Sequence, residues 1–374
     1  MVTATSEAPA GSVSSPQRTP AVHVETGPSA LELLDGSWDD LLARGPLPNP
    51  TQSSTWLREL ARWQTGVPLV AVAESAGVLV AGAALELRGG GRLGPRVAAW
   101  LGPVEQHFSP DLLADPLFPG AADAVVAAVL DVADVLSIGA PISGPAAQAL
   151  AAVAPWHERA VTGERWLLPW PAPRLEYARS RAAYEIRRAR RAGVEVDVLV
   201  AAEPDEVARA LARLFRIHRD RWRDRANETP RFATTRAHRL WNMRTVAALA
   251  AGGHVRIVEV TENGRTVAGN LGFVHSGGGV GHTQALRPGG ALREPGHVGS
   301  LACLEALAAA GATGFDLGVS SGQAGGPKAR LGSIADPMAL LFAASSPRRQ
   351  RTYGAARLVR DGLRHVGKTA AWRR

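Results

Sequence analysis

The chain has 374 residues, of which 46% are apolar and 20% charged, and its net charge is +8. That length suits two domains of roughly 100–200 residues, and the apolar share excludes a wholly disordered polymer. One cysteine, Cys303, excludes an internal disulfide framework and a cysteine-built metal centre.

In chain order, residues 1–28 are rich in Ser, Thr, Pro and Ala and are expected to form a disordered leader. They have no basic start and no apolar block, so no secretory signal is expected. The globular pattern begins at Leu31. Helices are predicted over Trp38–Leu42 and Trp56–Trp63. Strands are predicted over Pro68–Ala73, Val78–Leu87 and Val97–Leu101. Ala121–Val135 reads as a helix, Leu136–Gly139 as a strand and Pro145–Val153 as a helix. The run Ala121–Leu136 is the most apolar stretch, yet Asp123, Asp131 and Asp134 interrupt it. A membrane span is therefore not expected, and a cytoplasmic location is. Pro169, Pro171 and Pro173 mark a boundary between domains at 29–170 and 171–345.

Beyond that link, Ser180 is expected to cap a helix that ends at Gly193. Val194–Val200 alternates as a strand. Long helices follow over Pro204–Arg225 and Ala233–Ala251. Three strands then form a meander: His254–Val260, Thr266–His275 and Val280–Leu286. Their turns are ENG and SGGG. The loop Arg287–Pro295 leads into a helix from His297 to Ala310. Strands follow at Gly314–Leu317 and Met338–Ala343. Helices, a meander, a helix and a strand thus occur twice, which suggests an internal duplication in a mixed α/β fold.

Residues 346–374 form a basic tail with nine cations and a single acid, Asp361, so this tail carries the entire excess charge. Only Lys328 and Lys368 are lysines; the other 40 cations are arginines. A GC-rich coding bias and contact with a polyanion both account for this usage. The five arginines of Arg181–Arg191 read either as a solvated face or as a phosphate contact. Leu358, Leu363 and Val366 among the tail arginines would also suit an anionic membrane surface.

The segment REPGHVGS, Arg293–Ser300, lies between a strand and a helix N-terminus. Its glycines allow close approach of a ligand, and the free amides and helix dipole suit an anion. A simple turn meets the same pattern. In this context the order of elements and the RxxGxxG loop resemble the GNAT superfamily of N-acetyltransferases. Further segments sharpen the resemblance: YEIRRARRAG (Tyr184–Gly193), LFRIHRDRW (Leu214–Trp222), TVAGNL (Thr266–Leu271), EPGHV (Glu294–Val298), FDLG (Phe315–Gly318) and Pro327-Lys328. Together they resemble the branch of cellulose-biosynthesis acetyltransferase-like and FemAB-like proteins. The resemblance spans about residues 30–345 and implies two tandem GNAT-like domains.

What it implies for chemistry is an acyltransferase that moves an acetyl or acyl group from acyl-CoA to an amine of a small molecule or sugar by direct attack. Arg293, Gly296, His297, Val298, Gly299 and Ser300 would hold the CoA diphosphate. The alternatives are an aminoacyl-tRNA-dependent transferase, with tRNA on the basic helix and tail, and a degenerate non-catalytic scaffold. Family members often carry an aromatic before the lysine and a Trp after it, whereas this chain has Pro327 and Leu331. His282 and Asp316 are candidates for deprotonating or orienting the amine, and Lys328 supplies a compact ammonium. Asn270 and Gln284 are candidates for substrate binding. For each of these, a purely structural role is the competing reading. Cys303 is expected to be an inert buried thiol, and no metal-ligand spacing stands out.

Overall fold

The computed structural model describes residues 20–90, 94–102, 108–154, 156–222, 236–287, 289–320 and 328–351. The N-terminal half contains strands β1 (Ala21–Thr26), β2 (Val67–Ser75), β3 (Val78–Gly89), β4 (Arg96–Trp100), β5 (Leu113–Ala114), β6 (Val135–Pro141) and β7 (Trp156–Pro169). Its helices are α1 (Gly36–Arg44), α2 (Ser54–Ala61), α3 (Ala121–Val132) and α4 (Pro145–Val153). The C-terminal half contains helices α5 (Leu175–Arg191), α6 (Pro204–Trp222), α7 (Arg236–Ala251) and α8 (Pro295–Ala309). Its strands are β8 (Val196–Ala201), β9 (Val255–Glu262), β10 (Arg265–His275), β11 (Gly278–Leu286), β12 (Gly314–Ser320) and β13 (Ile334–Ala344).

These strands form one mixed sheet in the order β1-β2-β3-β4-β6-β13-β7-β12-β11-β10-β9-β8, with β5 off the path against β3. The order is a palindrome. From each outer edge the strands run inward as a meander and then a parallel partner, β6 beside β4 and β12 beside β11. At the centre the last strands are exchanged. β13, from the C-terminal half, pairs with β6, and β7, from the N-terminal half, pairs with β12. The repeated pattern read from the sequence is thus present as a mixed α/β fold in which the two halves share one sheet.

Two differences from the sequence expectations have simple causes. Residues 21–26, grouped with the disordered leader, form strand β1 on β2, because Val22 and Val24 alternate with exposed residues and pack on the neighbouring core. Residues 1–19 lie outside the described set. Helix α5 starts at Leu175, not at Ser180. Leu175, Ala178, Ala182, Glu185 and Ala189 make one buried stripe, so packing begins the helix more than a turn earlier.

One core cluster spans both halves. Trp38 and Trp56, from α1 and α2, pack with Leu214, Trp241 and Phe273 of the other half. Trp56 meets Trp241 and Phe273 edge-on, with centroids at 5.4 and 5.0 Å. Each such pair contributes about 1 kcal/mol beyond its burial, which fixes the two halves against each other. No helix among the described residues is long and apolar enough to cross a membrane.

Candidate active site

In a parallel pair that stops early, the two strands splay and leave a wedge. β11 and β12 are paired only from Gly278–Val280 to Gly314–Asp316. Beyond those rungs Gly281–Gln284 and Leu286 line one wall of a cleft of about 590 Å³, and Leu317 lines the other. Helix α8 contributes Gly296, His297, Ser300, Leu301 and Leu304, and Lys328 and Leu331 close the base. The corresponding wedge in the N-terminal half is filled. β4 and β6 share two rungs, and Trp100, buried just beyond them, donates its indole N–H to Gly139 O at 2.7 Å. One wedge is open and the other is plugged by a tryptophan.

The structure gathers most of the expected residues around the open wedge. Asn270, His282, Gln284, Arg293, Gly296, His297, Ser300 and Lys328 all line it. Gln284 Nε2 donates to Ser300 Oγ (2.7 Å), Gly296 O (2.9 Å) and Asn270 Oδ1 (3.1 Å). This lattice pins the strand β11 to the first turn of α8. Val298 and Gly299 do not line the cleft; both are buried against the sheet. A Cβ on Gly299 would lie 2.2 Å from Asn270 Nδ2, so glycine is required there for packing. His297 Nε2 is engaged by Ala178 O at 3.2 Å, which docks α8 on α5.

His282 is surrounded by Trp56, Phe108 and Phe273, with ring centroids at 5.8, 4.9 and 5.3 Å. Burial among these rings pushes its pKa down to about 3, so the imidazole is neutral and weakly basic. Asp316 differs. It is 2% exposed, at the end of the paired part of β12, and it accepts the Gly318 N–H at 2.7 Å. Burial raises its carboxyl above the usual range, against the opposing pull of Gly318, Ser109, Arg165 and Lys328. Lys328 donates to Gly318 O at 2.9 Å, and burial lowers its ammonium while Asp316 opposes that. A base works best when its pKa approaches the operating pH, and Asp316 is shifted in that direction whereas His282 is shifted away.

The mouth of the cleft is basic, with Arg181, Arg293 and Arg330 on its rim. Arg181 forms a two-toothed pair with Glu294 at 2.7 and 2.5 Å, which holds the Glu294 carboxyl below its usual range. The loop amides are largely committed. The Glu262 carboxylate takes the N–H groups of Ala291 (2.9 Å) and Leu292 (2.7 Å), and Glu185 takes that of Arg293 (3.0 Å). Pro295 has no N–H, and His297 and Val298 both donate to Glu294 O. The pattern of glycines did not reveal these carboxylates, because Glu185 and Glu262 arrive from distant elements.

The arginine-rich helix is likewise partly structural. Arg188 bonds Glu185 (3.0 Å) and Ala291 O (2.8 Å), and Arg190 bonds Val196 O (2.9 Å). Arg187 and Arg191 remain exposed. In the tail, Arg349 pairs with Asp134 at 3.2 Å; residues 352–374, and the glycine-rich run 321–327 with Pro327, lie outside the described set. Cys303 is buried in α8, and burial pushes its thiol up to about 12, so it is inert. Among the described residues no group of three or more His, Cys, Asp or Glu side chains is placed to hold a metal.

Residues 177–325 match the family model of the acetyltransferase (GNAT) domain. No curated protein matches the chain. Among solved structures, FemX superposes with a TM-score of 0.55 at 12% identity, covering 87% of this chain and 99% of FemX. A C-terminal domain from Agrobacterium fabrum, assigned to a lysylphosphatidylglycerol synthetase, gives 0.52 at 13% identity, with 88% and 94% covered. A conserved protein of unknown function from Bacteroides thetaiotaomicron gives 0.51 at 11% identity, with 82% and 96% covered. At these identities the likeness is one of fold. The GNAT resemblance carried by the motifs holds, with FemAB-like structures among its neighbours.

Proposed function

We propose that the chain is an acyltransferase whose C-terminal half holds an activated acyl donor in the β11–β12 wedge and passes the acyl group to an amine. The observation that carries this reading is the contrast between the two halves: the wedge lined by Lys328 is open, and its counterpart is filled by Trp100. In the reaction, the neutral amine attacks the donor carbonyl carbon and a C–N bond forms. The carbonyl π pair moves to oxygen, and the Lys328 ammonium and nearby backbone dipoles stabilise that charge. The oxyanion then collapses, the bond to the carrier sulfur or oxygen breaks, and the carrier takes a proton from the Lys328 ammonium and leaves as thiol or alcohol; the proton that Asp316 takes from the amine then restores the Lys328 charge. Asp316 takes the proton lost by the amine, and no protein nucleophile is required.

The donor read from the motifs is acetyl-CoA or another acyl-CoA, with its phosphates on the arginines of the cleft and on the Gly296 amide, which has no acceptor among the described residues. A specific observation favours the second reading, an aminoacyl ester on tRNA. The Glu185 carboxylate occupies the amide of Arg293, the first residue of the expected diphosphate loop, and Pro295 lacks an amide hydrogen. The exposed Arg187 and Arg191 suit RNA phosphates. Titration of the full chain with acetyl-CoA and with aminoacyl-tRNA at two salt concentrations separates the two. Gly296→Glu places a carboxylate at the cleft wall, where the new Cβ has only the end of Gln284 and Leu286 within 3.1 Å. It should abolish binding of either donor while preserving the fold; unchanged affinity would remove the donor-site assignment.

A further inference from the structure

A second cleft, of about 230 Å³, lies on the other side of Asp316. Phe108 packs against residues on the first cleft's side of Asp316. Phe108 leans on His282 with centroids at 4.9 Å, and a Cβ added to Gly318 would meet the Phe108 ring at 3.1 Å. Asp316 lines the second cleft, and the ammonium whose charge it senses, Lys328, lines the first. The rest of its lining comes from the N-terminal half and carries Asn49, Ser109, Asp111, Ser143 and Arg165.

The charges in this cleft do not cancel. Arg165 is spent on Asp336, with contacts of 2.8 and 2.7 Å, and Asp336 also accepts from Ser143 Oγ at 3.0 Å. Asp111 has no cationic partner in hydrogen-bond contact among the described residues. Its Oδ1 takes the N–H groups of Leu112 (2.8 Å) and Ala146 (2.9 Å), while Oδ2 lies against Gly144, where a Cβ would come within 1.7 Å. Ser109 Oγ, 2% exposed, lies beside the Asp316 carboxylate without a well-formed hydrogen bond. A buried hydroxyl left in that state marks a place where a polar partner belongs. The cleft is below the usual size of a whole-ligand pocket, so it suits one end of a molecule.

We propose that this second cleft is the acceptor site, and that it takes the cationic aliphatic amine end of the acceptor between Asp111 and Asp316, with Ser109 accepting a third N–H. The inference rests on the acyl-transfer reading for its chemistry, and it assigns Asp111, a residue of the half with the plugged wedge, to substrate binding. The acceptor class that follows is a primary alkylamine, protonated on arrival, which gives one proton to Asp111 before attack and a second to Asp316 once the C–N bond has formed. Amide, hydroxyl and carboxylate acceptors are disfavoured, because each would leave the half-buried Asp111 without a cation or facing a like charge.

The test uses the full chain without donor and the probes n-pentylamine and 1,4-diaminobutane, with 1-pentanol as the neutral counterpart, read by ligand-observed NMR titration. Expected are binding of both amines, at least tenfold weaker binding of 1-pentanol, and at least tenfold weaker amine binding in Asp111→Asn and in Asp316→Asn. Either variant suffices if the other does not fold. Equal binding of 1-pentanol, or amine affinity unchanged in a folded variant, overturns the proposal. Acetyl-CoA and aminoacyl-tRNA titrations on the same samples keep the two ideas apart. Amine binding that depends on Asp111, with no donor bound in the first cleft, supports the acceptor site and sinks the transferase. Donor binding together with Asp111-independent amine affinity does the reverse.

Discussion

Asp111 is held in its cleft at a cost that a single substitution should release. Its carboxyl is pushed up to about 7 from an ordinary 3.8, chiefly by burial, with Asp336 adding to the rise and the Ala146 and Leu112 amides and Arg165 opposing it. A folded-state pKa above the unfolded one means that the folded chain keeps the proton longer. The associated stability is therefore full below about pH 4, falls as pH rises toward 7, and is level above that. At about 1.4 kcal/mol per pH unit, the ionised carboxylate costs the folded state about 4 kcal/mol at pH 8. Asp111→Asn keeps an oxygen for the two backbone amides and removes the charge. The variant should thus be more stable than the parent by about 4 kcal/mol at pH 8 and by only about 1.5 kcal/mol at pH 5. With an unfolding entropy near 2 cal/mol/K per residue, the larger figure is a rise of about 5 °C in Tm. Calorimetry of both proteins at the two pH values, in the absence of amines, measures it. A variant that is less stable at pH 8, or a gain that does not grow with pH, would refute the reasoning, since Asp111 would then be a satisfied structural carboxylate.

Other substitutions separate packing from chemistry. Trp100→Ala should cost about 4 kcal/mol in a denaturant titration, because it empties the plugged wedge, while leaving donor affinity in the other wedge unchanged. Arg213 grips the buried Glu259 through both Nε (2.8 Å) and Nη2 (2.6 Å). Arg213→Ala strands that carboxylate and should destabilise the chain by about 3 kcal/mol, whereas the double variant Arg213→Leu/Glu259→Leu should recover most of the loss. Gly272→Ala would press its Cβ to 2.7 Å from Leu307 and 3.0 Å from Cys303, which should lower stability by about 2 kcal/mol. Because burial holds His282 near 3, the pH–rate profile should lack a histidine limb between pH 6 and 7, and His282→Gln should leave its shape unaltered; a limb that vanishes in that variant would restore His282 as the base.

The sequence by itself determined the local elements and the residues that meet at the open wedge. Continuous apolar runs such as Val78–Leu87, turns such as ENG, and the 3.6-residue stripe of α6 are local signals, and each produced the expected element. The glycine loop before α8 and the lysine retained at 328 pointed to one place, because backbone approach and a compact ammonium leave compositional traces. Only the tertiary structure decided three things. Strand β7 gave no apolar alternation, since most of its first two-thirds is exposed, and it is a strand because β12 and β13 supply partners on both sides. The Arg293 amide looked free in sequence but is taken by Glu185, and hydrogen bonds between distant segments carry no periodicity. Asp111 and Asp316, 205 positions apart, face one cleft only because the exchanged central strands bring the two halves into one sheet.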